Sequence, residues 1–553
     1  MKASTSSRNC WGWLWASLLV LGAVSGCGVG ESGHAENGWD AGPSGTDLGR
    51  GNGEAVSVGS ADREAAGETY SESYSESYSE SYSETGRELV PERTRTISRE
   101  PFFEGWPDPE FVLFITGQQI GFIEPCGCSG LETALGGLAR RFSSIQELSE
   151  RGWEVVPIDV GNQVRRFGRQ PEIKFQMTVA GLKQMGYGAI GFGPDDLRLS
   201  VGELLAVTAA DSQNNTPFVS ANTAIIDRSL TPEFQLIEAG GRRIGVTAVV
   251  GTAEQARITS GEIVKLPVEE SLQAVGGALD QAECDVRVLL AFASLDESLR
   301  IARRFPDFDV VITSGGAAEP PYQPETIEET GSTLVQVGAK GMHAVVLGFF
   351  DDDVGMRYQR VPLDARFPDA PPMLDLMASY QEQLKVLGLE GLGVQPIPHP
   401  SGNSFVGSNA CQDCHLREYE LWLDTDHSHA MSSLMYPGER GEIPRHYDPE
   451  CISCHVVGWD PQNHFPYISG YLSLEETPLM QNVGCENCHG PGRAHVDAET
   501  MNRDEALMAR LRQDQRLPLA EAERTCLECH DIDNSPDFHL PGAFERYWER
   551  IEH

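Results

Sequence analysis

Cys411-Gln412-Asp413-Cys414-His415, Cys451-Ile452-Ser453-Cys454-His455, Cys485-Glu486-Asn487-Cys488-His489 and Cys526-Leu527-Glu528-Cys529-His530 repeat one pattern, Cys-x-x-Cys-His, in the last quarter of the chain. With 13 Cys and 14 His in 553 residues, chance placement gives roughly 0.01 copies. The spacing has a mechanical reason: two thiols three positions apart can each form a thioether to one vinyl group of a single haem, and the adjacent histidine is then held beside the iron. Four covalently bound c-type haems are expected, with His415, His455, His489 and His530 as proximal ligands.

Working outward, eleven of the 14 histidines lie beyond Phe405. The segment 405–553 resembles the tetrahaem cytochromes related to the electron acceptor of hydroxylamine oxidoreductase. The resemblance is carried by Val406-Gly407-Ser408-Asn409-Ala410-Cys411, Trp422-Leu423-Asp424-Thr425-Asp426-His427, Asp448-Pro449-Glu450-Cys451, Gly484 through His495, and the terminal Tyr547 through His553. It implies His427, His495 and His553 as distal ligands, with His429 able to replace His427. No fourth position matches, so His446, His464 and His539 stand as individual alternatives, and the haem of Cys451 and Cys454 is the one expected to keep an open coordination position. A mainly helical, loop-rich segment that depends on its haems for packing follows.

Before the connector at 371–404, residues 106–370 read as an α/β domain. Apolar runs at Phe111 to Thr116, Val155 to Val160, Ala189 to Phe192, Phe218 to Ala221, Ile244 to Val250, Val286 to Phe292, Val310 to Thr313 and Val345 to Phe350 predict strands. Leu131, Leu135, Leu138, Phe142, Ile145 and Leu148 have helical spacing. Four motifs in order, Gly136-Gly137-Leu138-Ala139-Arg140, Ile158-Asp159-Val160-Gly161-Asn162, Gly188 to Gly193 and Val219-Ser220-Ala221-Asn222, resemble the 5'-nucleotidase and UDP-sugar hydrolase family. That resemblance implies a calcineurin-like metallophosphoesterase sandwich.

The family's chemistry does not carry over. A two-metal phosphoesterase needs Asp, His and Asn ligands around cations about 3.5–4 Å apart. Here the first ligand site reads Gln118-Gln119-Ile120, the second Asp is Asn162, and Asn-His-Glu has become Pro194-Asp195-Asp196. The late strands end in Ala293-Ser294 and Ser314-Gly315-Gly316, and His343 is the single histidine between 101 and 398. Pro125-Cys126-Gly127-Cys128 follows the first strand instead. Loops at strand ends carry function in such folds, so Cys126 and Cys128 are candidates to handle a sulfur species or other small substrate, against the alternatives of a staple or inert thiols. Lone Cys284 reads as a buried thiol.

At the N-terminus, Lys2 and Arg8 precede an apolar run from Trp11 to Val24, too short to span a bilayer. Val24-Ser25-Gly26-Cys27 resembles a bacterial lipobox with Cys27 as the lipidated residue, followed by Gly28, which points to the outer membrane. Residues 28–105, with Tyr-Ser-Glu-Ser repeats from Tyr70, read as a disordered acidic tether. Export agrees with haem attachment outside the cytoplasm. The net charge of −40 disfavours nucleic acid and suits cationic protein partners. An envelope electron carrier is expected first. A haem-linked oxidoreductase working through Cys126 and Cys128 comes second, and a phosphoesterase last.

Overall fold

The computed structural model of the chain describes residues 101–125, 134–209, 216–351, 355–438, 441–501 and 504–553. The expected signal peptide with Cys27, the tether as far as residue 100, and both Cys126 and Cys128 lie outside the described residues. Met1–Pro91 and Glu92–His553 separate as two units, and every described residue belongs to the second.

Phe111–Thr116 is buried along its whole length, as a strand covered on both faces must be, and it reads accordingly as an unbroken apolar run. It sits at the centre of a five-stranded sheet in the order Met356–Pro362, His343–Phe349, Phe111–Thr116, Val155–Asp159, Ala189–Ile190. Leu113 pairs in parallel with Val156, and Phe111 pairs antiparallel with Phe349, their rings stacked at 4.4 Å. A second sheet runs Glu325–Thr326, Thr333–Gln336, Val310–Thr313, Val286–Phe292, Arg242–Val250, Phe234–Ala239. Strand alternation assigns the faces. Phe111, Leu113 and Ile115 meet Val246, Val288 and Ile312 between the sheets, whereas Val112 and Phe114 join an outer layer with Leu138, Ile173 and Met373 from helices Leu138–Glu150, Arg169–Gln184 and Pro371–Gly391. Helices Val268–Gln281 and Leu295–Arg304 cover the second sheet. The result is a helix–sheet–sheet–helix sandwich.

Several boundaries differ from expectation. Packing begins within the expected tether: Phe103 is buried and Trp106 stacks on Trp153 at 5.9 Å. The helix carrying Leu138, Phe142, Ile145 and Leu148 begins at Leu138, while Leu131 lies outside the described residues. Gly136 and Gly137 hold φ of 92° and 91°, and a Cβ on Gly137 would stand 2.6 Å from Pro125, so the turn needs glycine. The expected connector is a helix of the sandwich, with Met373, Met377, Tyr380 and Leu384 buried and a break at Gly388. The 218–221 strand reduces to a bridge between Ile190 and Phe218. Cys284 is only partly buried.

Beyond Phe405 the chain is short helices and loops with one two-stranded ribbon, Trp459–Asp460 against Phe465–Pro466. Its apolar core is small: Met431, Ile452, Val456, Trp459 and Tyr471. Among the described residues no helix is long and apolar enough to cross a membrane.

Candidate functional site

The histidines of three motifs each face one expected distal histidine. Ring centres are 6.4 Å apart for His415 and His495, 5.8 Å for His489 and His553, and 6.1 Å for His530 and His427. An iron held between two imidazoles, with metal–nitrogen bonds of roughly 2 Å, separates the ring centres by roughly 6 Å. The residues therefore fit bis-histidine iron in three places. None of these pairs follows chain order, which is why sequence named the three distal candidates without their partners.

The ring nitrogens are oriented to suit. The Nδ1–H of His489 donates to the Gln515 carbonyl at 2.7 Å and that of His455 to the Ala430 carbonyl at 2.7 Å, while His530 Nδ1 lies 2.9 Å from Ser535 Oγ. His553 Nδ1–H donates to the Ile551 carbonyl at 2.8 Å. A donor at Nδ1 leaves the Nε2 lone pair for a metal and increases its basicity. Gln515, Ala430 and Ser535 were not visible as participants in the sequence, since nothing local marks them. Of the alternatives for a fourth distal ligand, His464 Nδ1 contacts Arg166 at 2.5 Å and His539 Nε2 meets the His530 carbonyl, while His446 packs on Tyr447 at 4.0 Å and its buried Nδ1 has no hydrogen-bond partner. His429 is exposed.

The motifs touch in sequence-scrambled order. The side chains of Cys411 and Cys485 lie beside each other, as do those of Cys454 and Cys529. Helix Cys485–His489 packs on helix Leu519–Leu527, which leads into the fourth motif. The motifs thus line up first, third, fourth, second.

At the phosphoesterase-like positions, protein groups engage one another, although Arg141 Nε and Nη1 and Gln163 Oε1 stay buried without a hydrogen-bond partner. Asp159, fully buried, accepts from Thr116 Oγ1 at 2.6 Å, Gln163 Nε2 at 2.7 Å and the Gly161 amide at 2.8 Å. The equally buried Arg141 guanidinium stands 3.7 Å away and also donates to Gln119. Arg141 was missed in the sequence, where it looks like any basic helix residue. Burial pushes Asp196 up to about 7, although it accepts from the amides of Gly193, Asn162, Gln163 and Val164. Asp195 pairs with Arg257 at 3.0 Å, and Gln118 Nε2 donates to the carbonyls of Ser314 and Gly338, both at 2.8 Å. Among the described residues no group of three or more His, Cys, Asp or Glu is placed to hold a metal ion.

The same loops meet the second and fourth motifs. Lys174 pairs with Glu450 at 2.6 Å, Arg445 pairs with Glu124, and Lys340 and Arg165 both reach Asp533. Asp448 accepts from Gln170 at 2.7 Å and Tyr380 at 3.1 Å while capping helix Pro449–Ile452. Burial disfavours both charges of the Lys174–Glu450 pair, but each holds the other ionised: Lys174 is raised and Glu450 lowered.

Fold and site together give two parts, a calcineurin-like, phosphoesterase-like α/β sandwich and a helical, cytochrome c554-like region. The comparisons with known proteins divide at the same place. Residues 410–490 match the family described as Cytochrome c554 and c-prime. Cytochrome c-554 of Nitrosomonas europaea is 34% identical over 99 residues, 16% of this chain and 39% of that protein. Apyrase of Aedes albopictus is 19% identical over 341 residues, 56% of this chain and 59% of that protein. Among solved structures, a 5'-nucleotidase precursor from Thermus thermophilus aligns with a TM-score of 0.43 at 17% identity, over 50% of this chain and 59% of that one. The chain spans less than two thirds of the curated relatives it matches.

Proposed function

We propose that this chain is a lipid-anchored tetrahaem electron-transfer protein facing the periplasm, most simply from the outer membrane through Cys27, whose nucleotidase-like domain has lost its dinuclear metal ligands. The observation that carries the electron-transfer reading is the spacing of three histidine pairs at 5.8–6.4 Å. Bound haem supplies a one-electron iron couple there, and two imidazoles per iron favour outer-sphere transfer over substrate binding at the metal. The chain's own part is to fix the rings, to orient Nδ1 of His455, His489, His530 and His553 onto a carbonyl or hydroxyl, and to place the motifs in contiguous order. The second motif keeps an open coordination position, because His427, His495 and His553 are committed to the other three.

The test is a redox titration of the holo-protein with haem counting and spin-resonance spectra. Four haems, three low-spin and one high-spin, are expected. Four low-spin sites would remove the open position, and fewer than four haems would remove the tetrahaem reading. Labelling with a radioactive fatty acid, abolished by Cys27→Ala, checks the anchor.

A second reading is a haem-linked oxidoreductase in which Cys126 and Cys128 handle a small substrate. It is favoured by Glu124, two residues before Cys126, which pairs with Arg445 beside the second motif. Cys126→Ser with Cys128→Ser then abolishes reduction by one donor and spares the others. A metal-dependent phosphoesterase is disfavoured by the Arg141 guanidinium, which already supplies a positive charge to Asp159.

A further inference from the structure

The contiguous order of the motifs gives the array two ends, and the ends are unlike. The second motif, with its neighbour the fourth, is covered by the α/β domain: Lys174, Arg445, Lys340 and Arg165 make ion pairs across that seam. The first motif lies at the other end, and its side-chain hydrogen bonds stay within the cytochrome region, as in Tyr419 to Asn409 and Trp422 to the Val483 carbonyl. Helix Leu416–Leu423, which follows His415 directly, has no buried residue, and its Leu416, Leu421 and Leu423 are 55%, 37% and 43% exposed. Between Cys411 and Ser428 the chain carries Asp413, Glu418, Glu420, Asp424 and Asp426 against the single cation Arg417. None of these five carboxylates makes an ion pair among the described residues, whereas Glu124, Glu450 and Asp533 at the seam are all paired.

We propose that this exposed end, centred on helix Leu416–Leu423, is the docking face for a cationic one-electron redox protein. Such a face presupposes the electron-transfer reading above. Carboxylates do not pack under a porphyrin face without a large desolvation cost. Whatever part of the three leucines the haem covers, the acidic residues therefore remain around its rim. A face carrying one sign of charge steers a partner of opposite sign and lets it dock loosely, as transient electron carriers require. A second copy of this chain and an anionic lipid surface are both repelled. In the exchange one electron leaves the reduced protein at this end, oxidising one ferrous centre to ferric, and reduces one ferric centre of the partner; no atom is transferred.

The experiment uses the full-length holo-protein, reduced and mixed in stopped flow with a ferric, lysine-rich monohaem cytochrome c as cationic probe and with ferricyanide as anionic probe. Charge reversal at Asp413→Lys, Glu420→Lys and Asp424→Lys is compared with reversal of an equal number of exposed acids on the α/β domain, Glu262→Lys, Glu269→Lys and Glu270→Lys. The first variant is expected to lower the second-order rate constant with the cytochrome probe about tenfold at low ionic strength and to flatten its salt dependence, while the second changes it less than about twofold. Neutral replacements Asp413→Asn, Glu420→Gln and Asp424→Asn give an intermediate loss and serve if the lysine variant fails to load haem. Equal slowing by both reversals, or slowing by neither, overturns the docking face. Failure of wild type to exchange electrons with either probe overturns the electron-transfer reading itself.

Discussion

Replacing Arg141 by methionine removes the charge that stands opposite Asp159 at the centre of the α/β domain. Both side chains are fully buried, 3.7 Å apart, and truncating one member of such a pair costs roughly 3–5 kcal/mol, because the remaining charge stays out of water. Asp159 keeps hydrogen bonds from Thr116, Gln163 and Gly161, which places the expected loss near the lower bound, about 3 kcal/mol. In a domain of this size that lowers the melting temperature by roughly 6–12 °C. Differential scanning calorimetry, with the haem Soret band followed separately, reads the loss in the α/β domain. Adding Asp159→Asn removes the stranded charge, so the double variant should be more stable than Arg141→Met alone by more than about 1 kcal/mol, the signature of direct coupling. A single-variant cost below about 1 kcal/mol, or strict additivity of the two changes, would refute the view that Arg141 is the counter-charge of Asp159.

Three further outcomes follow from the geometry. His553→Ala should convert one low-spin haem to high spin, the one at the third motif, while His495→Ala and His427→Ala do the same at the first and fourth; spin-resonance spectra with all four haems retained would check each assignment. Asp448→Ala should cost about 2–4 kcal/mol, since it removes the cap of helix Pro449–Ile452 and the acceptor of Gln170 and Tyr380, and calorimetry should then resolve two transitions where wild type shows one. Asp196 has a folded-state value raised to about 7 by burial, so between about pH 4 and 7 the folded state holds a proton that the unfolded state has released. Stability contributed by that proton falls as pH rises through this window, and Asp196→Asn should flatten the profile measured by urea titration.

How much of this was legible in the sequence depended on whether the signal was local. The attachment motifs were, because covalent chemistry fixes a five-residue pattern. Most central strands were also legible, because burial on both faces leaves apolar runs such as Phe111–Thr116, although the interior strand Thr333–Gln336 was missed. Two edge strands escaped. Met356–Pro362 carries Arg357, Gln359 and Arg360, and Phe234–Ala239 is half-exposed; with neighbours on one side only, neither needs an apolar run. A signal for the latter existed in Gly240-Gly241, whose φ values of 59° and 72° make the hairpin turn to Arg242–Val250. Which partner each of two adjacent buried arginines takes was not legible. Arg140 goes to the carbonyls of Ala134 and Leu363 while Arg141 goes to Asp159, and only the packed helix separates them.

The seam gives the sandwich a structural role beside the cytochrome-like region. With four Cys-x-x-Cys-His motifs in about 150 residues, the cytochrome-like region keeps only a small apolar core of its own around Met431 and Trp459. Helix Pro449–Ile452, which presents Cys451, is one turn long, and isolated turns of that length are unstable. It is held by an N-cap, Asp448, whose two oxygens are also fixed by Gln170, Tyr380 and Gln381 of the sandwich, and by Glu450, anchored on Lys174. The groups that hold the second motif therefore come from helices Arg169–Gln184 and Pro371–Gly391, which are themselves buried against the five-stranded sheet. Helices packed on a rigid sheet are suited to hold such a motif, because the task asks for side chains fixed by a packed scaffold.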